Sequence, residues 1–320
     1  MDKKYVKDGD THDNIEINNL LKEIHSIVDN KTNILISAVK NAVVGLVMWK
    51  KILAMVVGVL IGYWLIDDFN PDVIKGKRIV ITGASTGIGE QMAYHFAKMG
   101  ANILVTARRE HALQQVVSRC KEINPNGQYY YISADMLNMT STYSVINEAK
   151  VKLGGIDYLV LNHIIVIPMG VWQGTVENLT LMDKIIDVNF KAYVHLASHA
   201  IPYLQESQGH IIVVSSLSGK LAQPFTAVYS ASKFALDGFF SGLRQEFLMK
   251  RTENSIKGLR NFGQDYLIEN VQPAKPEDAA MAIIKGGAQR AREIHFPYMG
   301  TRLVTLFRDF FPGEAFQLKM

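Results

Sequence analysis

Thr82-Gly83-Ala84-Ser85-Thr86-Gly87-Ile88-Gly89 is the stretch on which the reading of this chain turns. It follows a short apolar run, Lys77–Thr82, and precedes a segment with helical spacing, Gly89–Met99. Glycines there let a strand bend sharply into a helix and bring backbone N–H groups close to an anion at the helix N-terminus. A glycine turn alone is common, and its place between strand and helix is what gives it weight. From Gly76 to about residue 250 the same alternation repeats. Asn102–Ala107, Tyr129–Ser133, Tyr158–Leu161 and His210–Ser215 are expected as strands, each followed by a helical stretch. This pattern predicts an α/β fold: one domain built on a doubly wound parallel sheet with helices on both faces.

Working outward from the turn, the second strand ends in Thr106-Ala107-Arg108-Arg109. A carboxylate at that point suits the ribose diol of NAD, whereas arginine suits a 2′-phosphate, so Arg108 points to NADP(H). The bland alternative is two surface arginines. Further on, Tyr229-Ser230-Ala231-Ser232-Lys233 places a phenol and an ammonium one helical turn apart on one face. An ammonium beside a phenol is expected to lower the phenol pKa and suit it to proton transfer. Read alone, the pair is a solvated helix face. Just upstream, Val213-Val214-Ser215-Ser216 brings a hydroxyl to the end of an apolar run.

Composition narrows the classes. The chain has 320 residues, 48% of them hydrophobic, and a net charge of +4. That charge is too small to argue for nucleic acid, and no Lys/Arg run is interleaved with aromatics. Cys120 is the one cysteine, which excludes an internal disulfide framework and a cysteine-built zinc site. The nine histidines are expected to show no helical metal-ligand spacing. His95 and His163 are read as packing or hydrogen-bonding residues, and no metal site is expected.

Residues 1–41 form an N-terminal extension with Ile15, Ile17, Leu20, Leu21, Ile24, Ile27 and Val28 at mostly helical intervals. It is either an amphipathic helix or a flexible tail. Residues 42–66 are apolar except for Lys50 and Lys51 and are expected to be a retained signal-anchor, given that a bilayer needs roughly 17–25 residues. A buried core helix is the alternative, and Asp67-Asp68 with a new domain just after them argue against it. The lysines before the span and Asp67-Asp68 after it favour a cytosolic N-terminus, while Lys75, Lys77 and Arg78 oppose that orientation.

Taken together, these motifs resemble the short-chain dehydrogenase/reductase family from residue 76 to about 250, within a domain expected over 67–320 in which 251–275 is atypical. The glycine turn, Ala134-Asp135-Met136, Leu161-Asn162-His163-Ile164, Asn189, Ser216 and the Tyr-Lys pair stand in the family's order. Within it the chain is similar to the 11β-hydroxysteroid dehydrogenase type 1 group through Val213–Gly219, Tyr229–Phe240 and Ile283–Ala288. The resemblance implies a Rossmann-type fold and an NADP(H)-dependent oxidoreductase acting on a small hydrophobic carbonyl or alcohol, a steroid among them. Tyr229 would be the general acid or base, Lys233 would lower its pKa and bind the nicotinamide ribose, and Ser216 would hold the substrate oxygen. Asn189 would hold a water of the proton relay. Gly83, Ser85, Thr86, Gly87 and Ile88 would line the pyrophosphate, although the family often has a basic residue where Thr86 stands. Asp135 and Met136 would flank adenine, and Asn162 would lie near the adenosine ribose. The resemblance also implies a homodimer anchored in the endoplasmic-reticulum membrane by a single span, with the catalytic domain in the lumen.

The resemblance breaks at Arg251–Arg260, which lacks the apolar run of a strand buried on both faces. Either Tyr266-Leu267-Ile268 takes that strand's place, or the nicotinamide pocket is incomplete. The second case implies a catalytically impaired relative that binds a nucleotide or lipid, with turnover failing before nucleotide binding does. A membrane-tethered interaction protein is the third class, disfavoured by the full set of catalytic residues.

Overall fold

The protein is described by a computed structural model over residues 9–64, 69–165, 170–253, 263–266, 268–269, 275–289, 291 and 294–295. It divides into two compact units, Met1–Asp68 and Phe69–Met320.

The first unit is one helix, α1 (Gly9–Trp64). The helix runs without interruption through residue 42, where the extension and the span are expected to meet. Nothing between Asp10 and Val44 is a glycine or proline that would break it. Leu35, Val43, Leu53 and Met55 are all more than half exposed. By length and hydropathy α1 is long and apolar enough to cross a membrane.

The second unit is an α/β domain. Its strands are β1 (Arg78–Thr82), β2 (Asn102–Ala107), β3 (Tyr129–Ser133), β4 (Tyr158–Leu161), β5 (His210–Val213) and β6 (Gly263–Tyr266). They form one six-stranded sheet in the order β3-β2-β1-β4-β5-β6, and every pairing is parallel. The helices are α2 (Gly87–Lys98), α3 (Glu110–Ile123), α4 (Met139–Leu153), α5 (Val176–Ile186), α6 (Ala192–Ser207), α7 (Ala227–Glu253) and α8 (Pro276–Ala288). A second small sheet pairs β7 (Ile268–Glu269) with β8 (Ile294–His295).

Strand periodicity explains the two layers. Successive side chains point to opposite faces, so Ile79 and Ile81 enter one core while Val80 enters the other. Ile103 and Val105 alternate with Leu104 in the same way. One core takes Met92 and Phe96 of α2, Leu113 of α3 and Ile283 of α8. The other takes Val145 of α4, Leu196 of α6 and Phe240 of α7. Because both faces are covered, the central strands read as continuous apolar runs.

The sixth strand settles the choice left open after residue 250. Residues 251–253 still belong to α7, and 254–260 lie outside the described residues. The sheet is continued by Gly263–Tyr266, in register from His210↔Gly263 to Val213↔Tyr266. The replacement strand therefore exists and ends at Tyr266, upstream of the expected Tyr266–Ile268. Among the described residues this strand is hydrogen-bonded on one side only, to β5, and a strand paired in that way need not be apolar throughout.

Candidate active site

The strand order reverses direction at β1 and β4, and the carboxyl ends of those strands are where an open parallel sheet binds its ligand. β1 ends at Thr82, which is fully buried. Its Oγ1 accepts from the Asn162 backbone N–H (2.9 Å) and contacts His163 Nδ1 (2.8 Å). The Asn162 side-chain amide donates to the carbonyls of Thr82 (3.3 Å) and Gly83 (3.2 Å). The end of β4 thus clamps the glycine turn. Gly83 has φ +65°, and a Cβ there would stand 2.7 Å from His163 Cα. A Cβ on Gly89 would stand 2.4 Å from the Gly83 carbonyl oxygen. Thr86, the N-cap of α2, makes no side-chain capping hydrogen bond. First-turn N–H groups of α2 are therefore left to an anion.

A cavity of about 410 Å³ opens over this turn, within the range of roughly 300–1,000 Å³ usual for small-molecule sites. Gly83, Ser85, Thr86 and Ile88 form its floor, Arg108 and Arg109 one side, and Asp135 and Met136 the next. Asn162 and the following residues to Ile165 close the wall at β4. Gly87 is not on the wall; its φ of +64° shapes the turn instead. Asp135 Oδ1 accepts from the Leu137 N–H (3.1 Å), which fixes the loop after β3. Arg108 is the arginine expected at this site, and Arg109 joins it. Arg109 Nη2 donates to Ser85 Oγ (3.2 Å), joining the end of β2 to the glycine turn. Arg108 is exposed at the cavity, and its side chain makes no hydrogen bond among the described residues. The set suits a dinucleotide: a pyrophosphate-sized cradle that Cβ atoms would fill, a helix N-terminus, and two cations at the second strand end.

His163 is a hydrogen-bonding residue, as expected. Burial pushes its pKa down to about 3, with the nearby Lys233 charge the second cause. In the neutral ring, Nε2–H donates to the Val188 carbonyl (3.1 Å), which leaves Nδ1 to accept from Thr82. The His163 carbonyl in turn accepts from the Tyr193 hydroxyl (2.6 Å). The Tyr193 ring lies 5.6 Å from Lys233 Nζ. A continuous path of contacts joins β1 to the α7 helix, and no local sequence motif signals it.

On α7, Lys233 is only 1% exposed, so the pair with Tyr229 is not a solvated helix face. Lys233 Nζ donates to the Val214 carbonyl (3.3 Å) and lies 5.8 Å from the Tyr229 ring. Burial pushes the Lys233 pKa down to about 7. The expectation that Lys233 lowers the phenol is corrected here. Burial raises the Tyr229 pKa, and the opposing influence is a hydrogen bond with Ser216. The Lys233 ammonium, 5.8 Å from the ring, is not among the influences on the phenol.

Ser216 starts the turn Leu217–Gly219, where its Oγ accepts from the Ser218 N–H (3.2 Å). A Cβ on Gly219 would come 3.0 Å from the Lys233 carbonyl, so this turn packs directly on α7. The Lys220–Asp237 ion pair (3.0 Å) fastens it there. Asn189 is fully buried in a single π-helical turn, Asp187–Lys191, between α5 and α6. Such turns cluster at functional positions. Its Oδ1 accepts from the Ile165 N–H (2.8 Å), and its Nδ2 approaches the Ile165 carbonyl at 3.5 Å.

One reading of the histidines is overturned. His195 and His199 stand four residues apart on α6, at a helical metal-ligand spacing not expected among the histidines.

Fold, cavity and buried pair define a dinucleotide-binding α/β domain of the oxidoreductase type. The short chain dehydrogenase family profile matches residues 77–254. The chain is 45% identical to the hydroxysteroid 11-beta-dehydrogenase 1-like protein of Xenopus tropicalis, across 78% of this chain and 88% of that one. It is 44% identical to the protein of the same name from Danio rerio, over the same shares. Among solved structures, a metagenomic short-chain oxidoreductase in complex with NADP superposes with TM-score 0.59 at 25% identity, over 68% of this chain and 92% of that one. A short chain dehydrogenase/reductase from Burkholderia phymatum in complex with NAD gives TM-score 0.66 at 16% identity, over 77% and 98%. The chain belongs to the short-chain dehydrogenase/reductase family, close to the hydroxysteroid 11-beta-dehydrogenase 1-like proteins. Its cofactor class is accordingly a nicotinamide dinucleotide.

Proposed function

We propose that the protein is an NADP(H)-dependent oxidoreductase interconverting a hydroxyl and a ketone on a steroid-like hydrophobic molecule. The observation that carries this is the joining of Ser216, Tyr229 and the buried Lys233 to the dinucleotide cavity through Tyr193 and His163. Tyr229 is the group that gives its proton to the substrate oxygen in reduction and takes it back in oxidation. Ser216 donates to that same oxygen. Lys233, poised near neutrality, exchanges protons through the buried side of the site. Asn189 holds the loop at Ile165 and keeps a donor for a relay water. The bound nicotinamide supplies or accepts the hydride.

NADP(H) is preferred because two arginines, and no carboxylate, stand where a ribose 2′-phosphate falls in this fold. A steroid-like substrate is favoured by the names of the relatives. Residues 42–66 serve as a single-span anchor in the endoplasmic-reticulum membrane, with Phe69–Met320 in the lumen. The test is incubation of the full chain with NADPH or NADH and a panel of ketosteroids and simpler carbonyls. Oxidation of NADPH with a ketosteroid is expected. Equal use of both cofactors, or no carbonyl-dependent oxidation, refutes the reading. Arg108→Ala should weaken NADPH binding about tenfold or more, since a charge-assisted contact contributes roughly 1.5–3 kcal/mol.

A further inference from the structure

On α6, His195 and His199 lie on one helical face, one turn apart. Their ring centroids are 6.2 Å apart with an interplanar angle of 67°. His195 is exposed and His199 half-buried. The Tyr143 ring on α4 meets the His199 ring edge-on at 5.5 Å and 79°, which holds one imidazole while the other can rotate. We propose that His195 and His199 bind a single divalent transition-metal ion of the Zn(II), Ni(II) or Cu(II) class, with water in the remaining positions.

The geometry is close to what such an ion needs. Zn–N bonds of about 2.0–2.1 Å at a tetrahedral angle put two ring centroids roughly 5 Å apart. The pair must close by about 1 Å, and rotation of the exposed His195 supplies it. Imidazole pairs suit borderline ions, whereas Mg(II) and Ca(II) need oxygen ligands. Among the described residues no group of three or more His, Cys, Asp or Glu could hold a metal, so the ion keeps open positions and exchanges readily. None of the residues lining the dinucleotide cavity takes part.

The test uses the full chain in detergent micelles, without an affinity tag, titrated calorimetrically with ZnCl₂, NiCl₂ or MgCl₂. One equivalent of Zn(II) or Ni(II) and no heat with Mg(II) are expected. His195→Ala and His199→Ala should each weaken binding at least tenfold. Cu(II) added at one equivalent should show nitrogen hyperfine structure from two imidazoles by electron paramagnetic resonance, falling to one in either variant. Circular dichroism checks that the variants stay folded. No Zn(II) uptake by the wild type at millimolar metal, or unchanged binding in the double variant, overturns the proposal. So does a one-nitrogen copper signal in the wild type.

Discussion

Lys233 is where burial and chemistry meet at the scale of one residue. Its side chain is enclosed, its ammonium reaches one backbone carbonyl, and its pKa falls to about 7. The folded state then binds fewer protons than the unfolded chain between about pH 7 and the ordinary lysine value. Stability contributed by this group must therefore rise with pH across that window, and the penalty is complete below it. Lys233→Met removes the titration. Thermal melts of wild type and variant, without nucleotide, should show the wild type gaining on the variant from pH 7 to 9. A pH-independent difference would mean that Lys233 is charged throughout. Tyr229 is the complementary case. Burial raises its pKa, so the phenol is protonated at neutral pH and ready to donate. Tyr229→Phe should lower kcat about 10²–10⁴-fold while NADPH binding, followed by fluorescence, stays within a fewfold. Parallel loss of both would make Tyr229 a structural residue.

At the scale of elements, the glycine turn shapes the cavity and β6 continues the sheet beyond β5. A methyl group at Gly89 would strike the Gly83 carbonyl and also lie 2.7 Å from Asn162 Nδ2, the amide that clamps the turn. Gly89→Ala should cost about 1–3 kcal/mol of stability and weaken nucleotide binding at least tenfold, read by chemical denaturation and titration. Wild-type affinity in that variant would show that the turn adapts. For β6, Gln264→Pro and Asp265→Pro test whether the ladder with β5 matters. One of the two must remove an inter-strand hydrogen bond, since alternate residues face the neighbouring strand. That variant should lose kcat far more than NADPH affinity, because the cavity wall comes from elements before residue 190. The first five strands were legible within a residue or two, since β1, β2, β4 and β5 are largely buried on both faces and β3 is carried by three tyrosines and an isoleucine of high strand propensity. β6 was not, because Gly-Gln-Asp-Tyr pairs by its backbone with β5 and carries no apolar signature. The site was legible where chemistry is local in sequence, as in the glycine turn and Tyr229–Lys233. Contacts such as Arg109–Ser85, Tyr193–His163 and Lys220–Asp237 were not, because they join residues 17 to 30 positions apart that the fold alone brings together.

On the scale of the whole molecule, the two units differ in what they do with apolar surface. Phe69–Met320 builds two buried apolar cores, whereas α1 leaves leucine, valine and methionine exposed along its length. In water that exposure is unfavourable by roughly 25 cal/mol per Å², and a bilayer removes it. The full chain should stay with membranes after alkaline carbonate washing, and removal of residues 1–68 should release a soluble domain with NADPH affinity unchanged. The proposed lumenal orientation can be tested at Asn138-Met139-Thr140 and Asn178-Leu179-Thr180, which match the acceptor tripeptide for N-glycosylation. Asn138 is exposed and caps α4, whereas Asn178 is half-buried with its Oδ1 engaged by the Gln173 N–H (3.0 Å). Asn138 is therefore the expected acceptor. Its Oδ1 accepts from the Thr140 N–H, so replacing it would also remove a helix cap at a cost of about 1 kcal/mol. Thr140→Ala breaks the tripeptide and keeps the cap, which makes it the cleaner variant. Expressed in animal cells, the wild type should shift in mobility on glycosidase digestion, and Thr140→Ala should not. A wild type with no glycan and full protease sensitivity in sealed microsomes would place the catalytic domain in the cytosol.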